Sequence, residues 1–408
     1  MENKEIRTPK LRFPSFTGPW GQHKLGDIAD SYSGGTPTAG KTEYYGGEIP
    51  FIRSAEVNSD ATELFLTEEG LKNSSAKMVK KGDILYALYG ATSGEVGLAK
   101  LDGAINQAIL DIKPYENFDA PFLMQWLRKS KDSIIGTYLQ GGQGNLSGTI
   151  VTSLVVDCPN YNEQKQIGGF FANLDNLITL HHRRYESIKK YKKGMLQKMF
   201  PQNGEPYPEI RFPGFTDPWE QRKFGEVADG FEYGLNAAAT DYDGKNKYVR
   251  ITDIDDETHL FKMDELTSPN TDIVIADNYK LSEGDILFAR TGASVGKTYK
   301  YKASDGDVYF AGFLIRARIQ PEYDAEFVFQ NTLTDKYDKF IRITSQRSGQ
   351  PGVNAQEYQS FEIMTPKLGE QGKIGTFLQN LDDLITLHQR KCDELKKMKK
   401  ALLQKMFV

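Results

Sequence analysis

The sequence predicts an α+β protein: two mixed β-rich domains separated by a pair of long antiparallel helices, arranged as a tandem repeat with pseudo-two-fold character. Three observations predict this class. A helix-forming segment occurs twice, strand-like runs fill the chain ahead of each copy, and the opening of each of those β-rich segments is itself repeated. A chain of 408 residues is long enough for two hydrophobic cores.

The two helical segments, residues 162–200 and 369–407, keep a constant spacing of 207 residues and share nearly identical centres, LDNLITLHHR and LDDLITLHQR. Apolar side chains recur in both at steps of four and three, which is the heptad pattern of a coiled-coil helix. Because one chain carries both seams, they most simply cover each other within the molecule. The seam of the first copy comprises Ile167, Phe171, Leu174, Ile178, His181, Tyr185, Ile188, Tyr191, Met195 and Met199, and residues 374–406 repeat it.

The segments ahead of the helices have the pattern of mixed, β-rich domains. They open with the related sequences LRFPSFTGPW at residue 11 and IRFPGFTDPW at residue 210. Short β-branched or alternating runs, bounded by Gly, Asn and Pro, predict strands. These runs are residues 49–52, 84–88, 109–112, 248–251, 286–288 and 313–319, and helical patches are expected near 122–128 and 327–332.

The predicted organisation is a first domain at 1–160, a helix at 161–200, a linker at 201–209, a second domain at 210–368 and a second helix at 369–408. The linker has three prolines within PQNGEPYP and cannot continue a helix. A helix of about 35 residues is roughly 50 Å long, and a short linker favours an antiparallel return. The expected shape is a dumbbell with a two-helix bar.

Composition excludes several classes of protein. The chain has 51 Lys and Arg against 55 Asp and Glu, so it is not a strongly basic, free-standing nucleic-acid binder, although a local basic face would still suffice. It has no long apolar run and no apolar signal region, and the cytoplasm is the expected location. Two isolated cysteines predict neither disulfides nor a metal site. No Walker motif, dinucleotide fingerprint, methyltransferase motif or catalytic set occurs, so we expect no catalysis and no directly bound cofactor or metal.

Candidate ligand contacts lie in loops that the two halves share. The glycine-containing loops after a strand, YGATSG and RTGASVGK, let backbone amides and hydroxyls approach a phosphate or base, but the pattern taken alone favours a plain tight turn between strands. Arginines at strand ends could read bases or phosphates or simply be solvated, and amides could read base edges or serve turns. The candidates are Gly34, Gly35, Thr36, Arg53, Tyr89, Thr92, Ser93, Asn106, Gln107, Gln143, Arg250, Arg290, Thr291, Ser294, Lys297, Gln346, Arg347 and Gln350.

Charged and histidine side chains on the helices have simpler interpretations. His181 and His388 occupy equivalent seam positions and are expected to be buried polar residues that set the register, not metal ligands. The basic groups are expected on the solvated face of each helix. They comprise Arg183, Arg184, Lys189, Lys190, Lys192 and Lys193 in the first copy, and Arg390, Lys391, Lys396, Lys397, Lys399 and Lys400 in the second.

In this combination of motifs, the chain resembles the specificity subunit of Type I restriction-modification enzymes. The likeness rests on GDILYALYGATSG at 82–94 and GDILFARTGASVGK at 284–297, on the helix openings EQKQIGGF and EQGKIGTF, and on the helix ends MLQKMF and LLQKMF. It covers essentially the whole chain. The acidic balance and the glycine-loop spacing of the first domain depart from the usual pattern.

The resemblance implies that each β-rich domain is a target recognition domain reading one half of a bipartite site on double-stranded DNA. It implies that the helices act as a spacer and dock two methyltransferase subunits. Two restriction and translocation subunits would complete the complex, and adenine-N6 methylation and cleavage, with S-adenosylmethionine, ATP and Mg, would belong to these partners. The expected docking residues are Leu177, Leu180, Arg183, Leu384, Leu387 and Arg390.

Two other functions remain compatible with the sequence. The chain could be the specificity partner of a single fused restriction-methylation polypeptide. Alternatively, it could be a protein-binding coiled-coil scaffold whose loops grip a polypeptide.

Overall fold

The computed structural model describes residues 7–139, 145–202, 204–346 and 349–408. The chain divides into two compact units, Met1–Leu180 with Lys391–Val408, and His181–Arg390. Both unit boundaries fall inside long helices. Each unit therefore combines a β-rich domain, the opening of the long helix that follows it and the closing turns of the other long helix.

The first half of the chain contains ten strands and five helices within its described residues. In chain order these are β1 (Gly21–Lys24), α1 (Leu25–Ile28), β2 (Ala29–Ser33), β3 (Tyr45–Ile52), β4 (Phe65–Leu66), α2 (Glu68–Lys72), β5 (Lys77–Val79), β6 (Ile84–Ala87), β7 (Val96–Leu98), β8 (Gly103–Ile105), β9 (Ile109–Pro114), α3 (Ala120–Tyr138), α4 (Gly148–Ser153), β10 (Val155–Cys158) and α5 (Tyr161–Met199). Two four-stranded sheets, ordered β2-β9-β6-β7 and β4-β3-β8-β5, and the pair β1-β10 form the domain.

The second half repeats part of this plan. Its elements are β11 (Glu220–Lys223), α6 (Phe224–Val227), β12 (Ala228–Tyr233), β13 (Ala239–Asp241), β14 (Lys247–Val249), β15 (Thr267–Pro269), α7 (Ile273–Ala276), β16 (Asp285–Ala289), β17 (Thr298–Lys300), β18 (Val308–Phe310), β19 (Leu314–Ile319), α8 (Ala325–Asn331), α9 (Asp335–Thr344), α10 (Ala355–Gln359), β20 (Glu362–Thr365) and α11 (Leu368–Met406). The sheet β12-β19-β16-β17 repeats the topology of β2-β9-β6-β7, and the pair β11-β20 repeats β1-β10. The predicted strand runs fall within or overlap these strands, and the α+β class is confirmed.

An aromatic cluster in each unit anchors the end of one long helix. In the first unit Phe407, just past the end of α11, lies 5.1 Å from Phe122 and 6.2 Å from Trp20, measured between ring centroids. Phe122 is fully buried at the start of α3, where the Asp119 carboxylate accepts a hydrogen bond from its backbone amide and caps the helix. Buried aromatic rings supply large apolar contact areas. The helix end is therefore part of the domain's own core.

The second unit repeats this cluster with the end of the other helix. Phe200, just past the end of α5, lies 5.4 Å from Phe327 and 6.2 Å from Trp219. Phe327 is also fully buried and lies in the first turn of α8, with Asp324 as the capping residue. The repeated sequence QKMF thus completes a core in both units.

The opening of each long helix is held by a buried ion pair. Arg12 donates to Glu163 at 2.6 and 2.7 Å, and Arg211 donates to Glu370 at 2.7 and 2.7 Å. Both glutamates are almost fully buried. A bidentate geometry is what lets a buried arginine-carboxylate pair offset its desolvation. The sequence motif EQ at each helix opening therefore has a structural role.

The glutamine of the EQ motif adds a second attachment. Gln164 accepts a hydrogen bond from the backbone amide of Asp119 at 3.0 Å and donates to the carbonyl of Pro159 at 2.9 Å. Gln371 makes the matching pair of bonds in the second unit at 3.0 and 2.7 Å. Each helix therefore leaves its domain in a fixed direction.

The helical seam differs from the predicted one at two equivalent positions. Tyr191 and its counterpart Met398 are each 51% exposed, whereas the neighbouring Lys192 and Lys399 are buried. The expectations that Tyr191 and Met398 belong to the seam and that these two lysines lie on the solvated face are wrong. The reason is a carboxylate on the facing helix: Lys192 donates to Asp382 at 2.6 Å and Lys399 donates to Asp175 at 2.6 Å.

One further contact, taken with the Lys192–Asp382 pair, shows that the two helical segments of the second unit are antiparallel. In the second unit the Nδ1 atoms of His181 and His388 lie 2.9 Å apart, while Lys192, further along α5, reaches back to Asp382. Burial, followed by the charges of His181 and Arg184, lowers the pKa of His388.

Within the described residues no group of three or more His, Cys, Asp or Glu side chains is arranged to hold a metal ion.

None of the helices in the described part of the chain combines the length and apolar composition that a membrane crossing requires.

The buried lysine of the second unit generates a stability prediction. Lys192→Ala should lower the free energy of unfolding by about 2–3 kcal/mol, because it leaves a partly buried carboxylate on Asp382 without its cation. The figure is below that of a fully buried pair since the Asp382 side chain is 31% exposed. Denaturant titration would measure it. The exposed neighbour Lys190, changed to Ala as a control, should alter stability by less than about 0.5 kcal/mol; equal effects would contradict a special role for the buried pair.

The central sheets of the two units carry opposite charges at one equivalent buried position. Asp111 pairs with Leu85 on β6, and Arg316 pairs with Leu287 on β16. Burial raises the pKa of Asp111 to about 6, partly offset by Tyr32 and by Lys113, whose Nζ lies 3.4 Å away. An acid with a raised pKa favours its protonated form in the folded state. Folding stability therefore falls as the pH rises from about 4 to 6.

Replacing this carboxyl should remove that penalty. Asp111→Asn should stabilise the protein by up to about 3 kcal/mol at pH 8 and by roughly half as much at pH 5. The reason is that the wild-type carboxyl, whose pKa in the folded state is about 6, is ionised at pH 8 but largely protonated at pH 5. Thermal unfolding across this pH range would measure the difference. The exposed Asp27, changed to Asn, is the matched control and should change the unfolding temperature little; a pH-independent gain for Asp111→Asn would refute the explanation.

Candidate nucleic-acid interface

The two glycine loops have one backbone conformation. Each follows a central strand and begins with a glycine at positive φ, 69° at Gly90 and 70° at Gly292, and each ends with another, 81° at Gly94 and 87° at Gly296. A Cβ at Gly296 would lie 2.6 Å from the side chain of Ile341. The loops therefore need glycine for the turn and for packing against a helix, whatever else they contact.

Side chains on these loops are presented unequally. Tyr89 is exposed and Thr92 half-buried, whereas Ser93 is buried and its hydroxyl donates to the Leu88 carbonyl at 3.1 Å. Ser93 is therefore turned inward, away from any ligand at the surface. In the second loop Thr291 and Ser294 are half-buried.

Lys297, at the end of the second loop, is drawn into an ion pair. Its Nζ lies 2.5 Å from the exposed carboxylate of Asp256. Gln346 and Gln350 are exposed, and Gln350 lies beside the loop, where a Cβ at Gly292 would be 2.9 Å from its Nε2. Gln143 and Arg347 lie outside the described residues.

The loop at residues 33–37 owes its glycines to close packing. A Cβ at Gly34 would lie 1.9 Å from the Ile105 carbonyl oxygen, and one at Gly35 would lie 1.9 Å from Ser75 Oγ. These two glycines thus have a structural explanation. Thr36 is exposed and donates to Gln107 at 2.6 Å.

Asn106, next to that pair, is half-buried and accepts a hydrogen bond from the backbone amide of Ala108 at 3.2 Å. Three candidate residues of the first domain, Thr36, Asn106 and Gln107, are thus brought together.

The strand-end arginines are neutralised in the same way in both domains. Arg53 donates to Glu56 at 2.9 Å and to Glu63 at 2.8 Å, and Arg250 donates to Asp253 at 2.8 and 2.9 Å. These hydrogen bonds raise the pKa of both arginines. Their charges are locally balanced, so neither adds a net positive charge for attracting phosphate.

Arg290 is different because aromatic rings replace the carboxylate. Its guanidinium lies 5.0 Å from the ring of Tyr233 and 5.8 Å from the ring of Phe313, and its Nε donates to the Gly312 carbonyl at 3.2 Å. These residues line a concave site of about 600 Å³ together with Arg250. Tyr233 and Phe313 are both exposed.

Exposed leucines mark the outer surface of the long helices. Leu177 and Leu180 on α5 are 46% and 45% exposed, and their counterparts Leu384 and Leu387 on α11 are 42% and 49% exposed. Arg183 and Arg390, one turn further along, are also exposed. The heptad seam does not use these apolar side chains.

Comparison with known proteins identifies the family. The model of the Type I restriction modification DNA specificity domain matches residues 18–190 and 216–397. The chain belongs to this family. As a specificity subunit it is not itself catalytic, and the two matched segments make it a protein with tandem target recognition domains.

Individual relatives agree with this assignment. The Type I restriction enzyme MjaVIII specificity subunit of Methanocaldococcus jannaschii is 22% identical, and the alignment covers 96% of this chain and 92% of the relative. The EcoR124I/EcoR124II specificity subunit of Escherichia coli is 26% identical over 40% of this chain and 45% of its own. The crystal structure of a Type I S subunit from M. genitalium superposes with a TM-score of 0.72 at 16% identity, covering 98% of this chain and 99% of the other. That structural likeness concerns the fold.

Sequence reasoning missed two side chains of the Arg290 site, Tyr233 and Phe313. A search for motifs shared by the two halves favours what both copies retain, and these aromatic residues occur in only one. An alignment of the halves that looked for differences near Arg290 could have found them. The predicted contacts of the specificity subunit with DNA remain predictions.

Proposed function

We propose that this specificity subunit is the DNA reader of a Type I restriction-modification complex. Each target recognition domain reads one half of a bipartite site, the long helices set the separation of the halves, and methyltransferase subunits dock on the helices. One observation supports the proposal most directly: both long helices are attached to their domains by the same contacts, whereas the loops of the two domains differ. Equivalent Arg-Glu and Gln contacts hold both helices, whereas the side chains around the glycine loops differ.

The charge distribution supports a reader that works with partners. The chain has a net charge of −4, and two of its strand-end arginines, Arg53 and Arg250, are paired with carboxylates. Affinity for DNA depends strongly on neutralised phosphates. We infer that two methyltransferase subunits, and two restriction subunits when present, supply much of the phosphate contact and carry S-adenosylmethionine, ATP and Mg. The chain itself binds none of these three cofactors, and it recognises DNA in the cytoplasm.

Mapping modified adenines in cells with and without this gene tests the proposal. A bipartite motif with two defined halves should be methylated only when the gene is present. Purification of the complex should recover separate methyltransferase and restriction subunits, whereas a single fused polypeptide would indicate the related alternative. If the reconstituted complex shows no salt-dependent DNA binding, the protein is a scaffold and the proposal fails.

The spacing role generates a prediction about helix length. Deleting residues 182–188 and 389–395 removes one heptad from each helix, keeps the apolar register and spares the exposed leucines. Each helix shortens by about 10 Å, so the recognised spacer should shorten by about three base pairs or recognition should be lost. Methylation mapping measures the spacer. An unchanged spacer length would show that the helices do not set the separation.

The docking role generates a prediction about the exposed leucines. Leu180→Glu combined with Leu387→Glu should weaken binding of methyltransferase subunits by at least about ten-fold, because it places charges in an apolar interface. Co-purification and calorimetry would measure the loss, and thermal unfolding should hardly change since both positions are exposed. Lys190→Glu with Lys397→Glu introduces carboxylates at exposed positions elsewhere on the helices and should leave binding intact. Normal binding by the leucine variant would place the interface elsewhere.

A further inference from the structure

Backbone hydrogen bonds establish which loop residues of the two domains are equivalent. The amide of Leu88 donates to the carbonyl of Ala108 at 2.8 Å, and the amide of Arg290 donates to the carbonyl of Phe313 at 3.0 Å. Leu88 and Arg290 each precede by two residues the glycine that begins the glycine loop, Gly90 and Gly292. Leu88 and Arg290 are therefore counterparts, and so are Ala108 and Phe313.

Strand pairing establishes the third equivalence. Ser33, at the end of β2, pairs with Leu110 on β9. Tyr233, at the end of β12, pairs with Ile315 at the same place on β19. The set Tyr233, Arg290 and Phe313 of the second domain thus corresponds to Ser33, Leu88 and Ala108 of the first.

All three positions carry different residues in the two domains, which argues that Tyr233, Arg290 and Phe313 are not needed for the common fold. Leu88 is 1% exposed and completes the core of its domain, so the fold does not require a charge at this position. In the second domain the three side chains instead help to line the concave site. A feature present in one reader and absent from the other is what recognition of two different half-sites requires.

Arg290 has hydrogen-bonding capacity that the described residues leave unused. Arg250, Arg316 and Arg318 of the same domain form ion pairs with Asp253, Glu232 and Asp285. In the described parts of the chain no carboxylate lies within 4.0 Å of the Arg290 guanidinium, and only its Nε has a hydrogen-bond partner. Stacking against rings restrains the guanidinium while leaving the in-plane edge of its two Nη groups available. That fork matches the O6 and N7 acceptors of guanine in the major groove.

We propose that Arg290, held between Tyr233 and Phe313, reads a guanine in the half-site of the second domain. The inference rests on the proposed function, because it assumes that this domain binds DNA. The first domain has no counterpart to this contact, since Leu88 occupies the equivalent position.

The test uses the complex reconstituted with its methyltransferase subunits and the bipartite site mapped for the wild type. Each guanine of the second half-site is replaced in turn by 7-deazaguanine, which lacks the N7 acceptor. One replacement should weaken wild-type binding by about 5- to 150-fold, the range of a bidentate base contact. Arg290→Gln should lose a similar factor on unmodified DNA, and 7-deazaguanine at that position should cost this variant little more.

The control variant is Arg222→Gln, which removes a partly exposed arginine paired with Glu220 on β11. It should bind like the wild type and keep its sensitivity to 7-deazaguanine. Binding to the first half-site, measured with substitutions there, should be unchanged in Arg290→Gln and so show that the variant is folded.

Three results would overturn the inference. One is a second half-site in which no guanine replacement affects the wild type. Another is an equal effect of 7-deazaguanine on wild type and Arg290→Gln. The third is a loss in Arg290→Gln that is uniform over all duplexes, which would indicate a phosphate contact. In each case the bipartite methylation map would still support the proposed function; absence of any bipartite site for the wild type would refute both.

Discussion

Arg12 and Glu163, with their counterparts Arg211 and Glu370, form the contact on which each unit depends. Taking these charges out of water is costly, and a bidentate pair with short hydrogen bonds is the arrangement that offsets the cost. The pair joins the segment that precedes a domain to the helix that follows it. It thereby fixes where the chain enters and leaves the domain, and the adjacent glutamine fixes the direction of the helix.

Further along the helices, buried polar side chains make the pairing specific. A seam of only apolar residues would tolerate several registers. Lys192 must meet Asp382 and Lys399 must meet Asp175, because either lysine, shifted by a heptad, would be buried without its carboxylate. Gln330 and Gln125 donate to the same two carboxylates at 2.8 and 2.9 Å, which links the register of the helices to the domains.

The helices and the duplication could be predicted from the sequence because both depend on patterns repeated over many residues. It failed at Tyr191 and Lys192, where counting apolar side chains favoured the tyrosine. The residue that is buried at this point of the seam is Lys192, and its burial depends on Asp382, 190 positions away in the chain. The glycines at 34 and 35 looked like ligand contacts because their close packing against Ile105 and Ser75 is a long-range property. The environment of Arg290 could not be predicted either, since Tyr233 and Phe313 reach it from separate strands.

The aromatic cluster of the first unit has a consequence for biosynthesis. Phe407 packs against Trp20 and Phe122, yet the ribosome makes it only after the entire second unit, residues 181–390, has been synthesised. The second unit is continuous in sequence and can complete its core around Phe200 earlier. Until Phe407 is added, the first domain lacks one ring of its aromatic cluster, although it is the domain that is translated first.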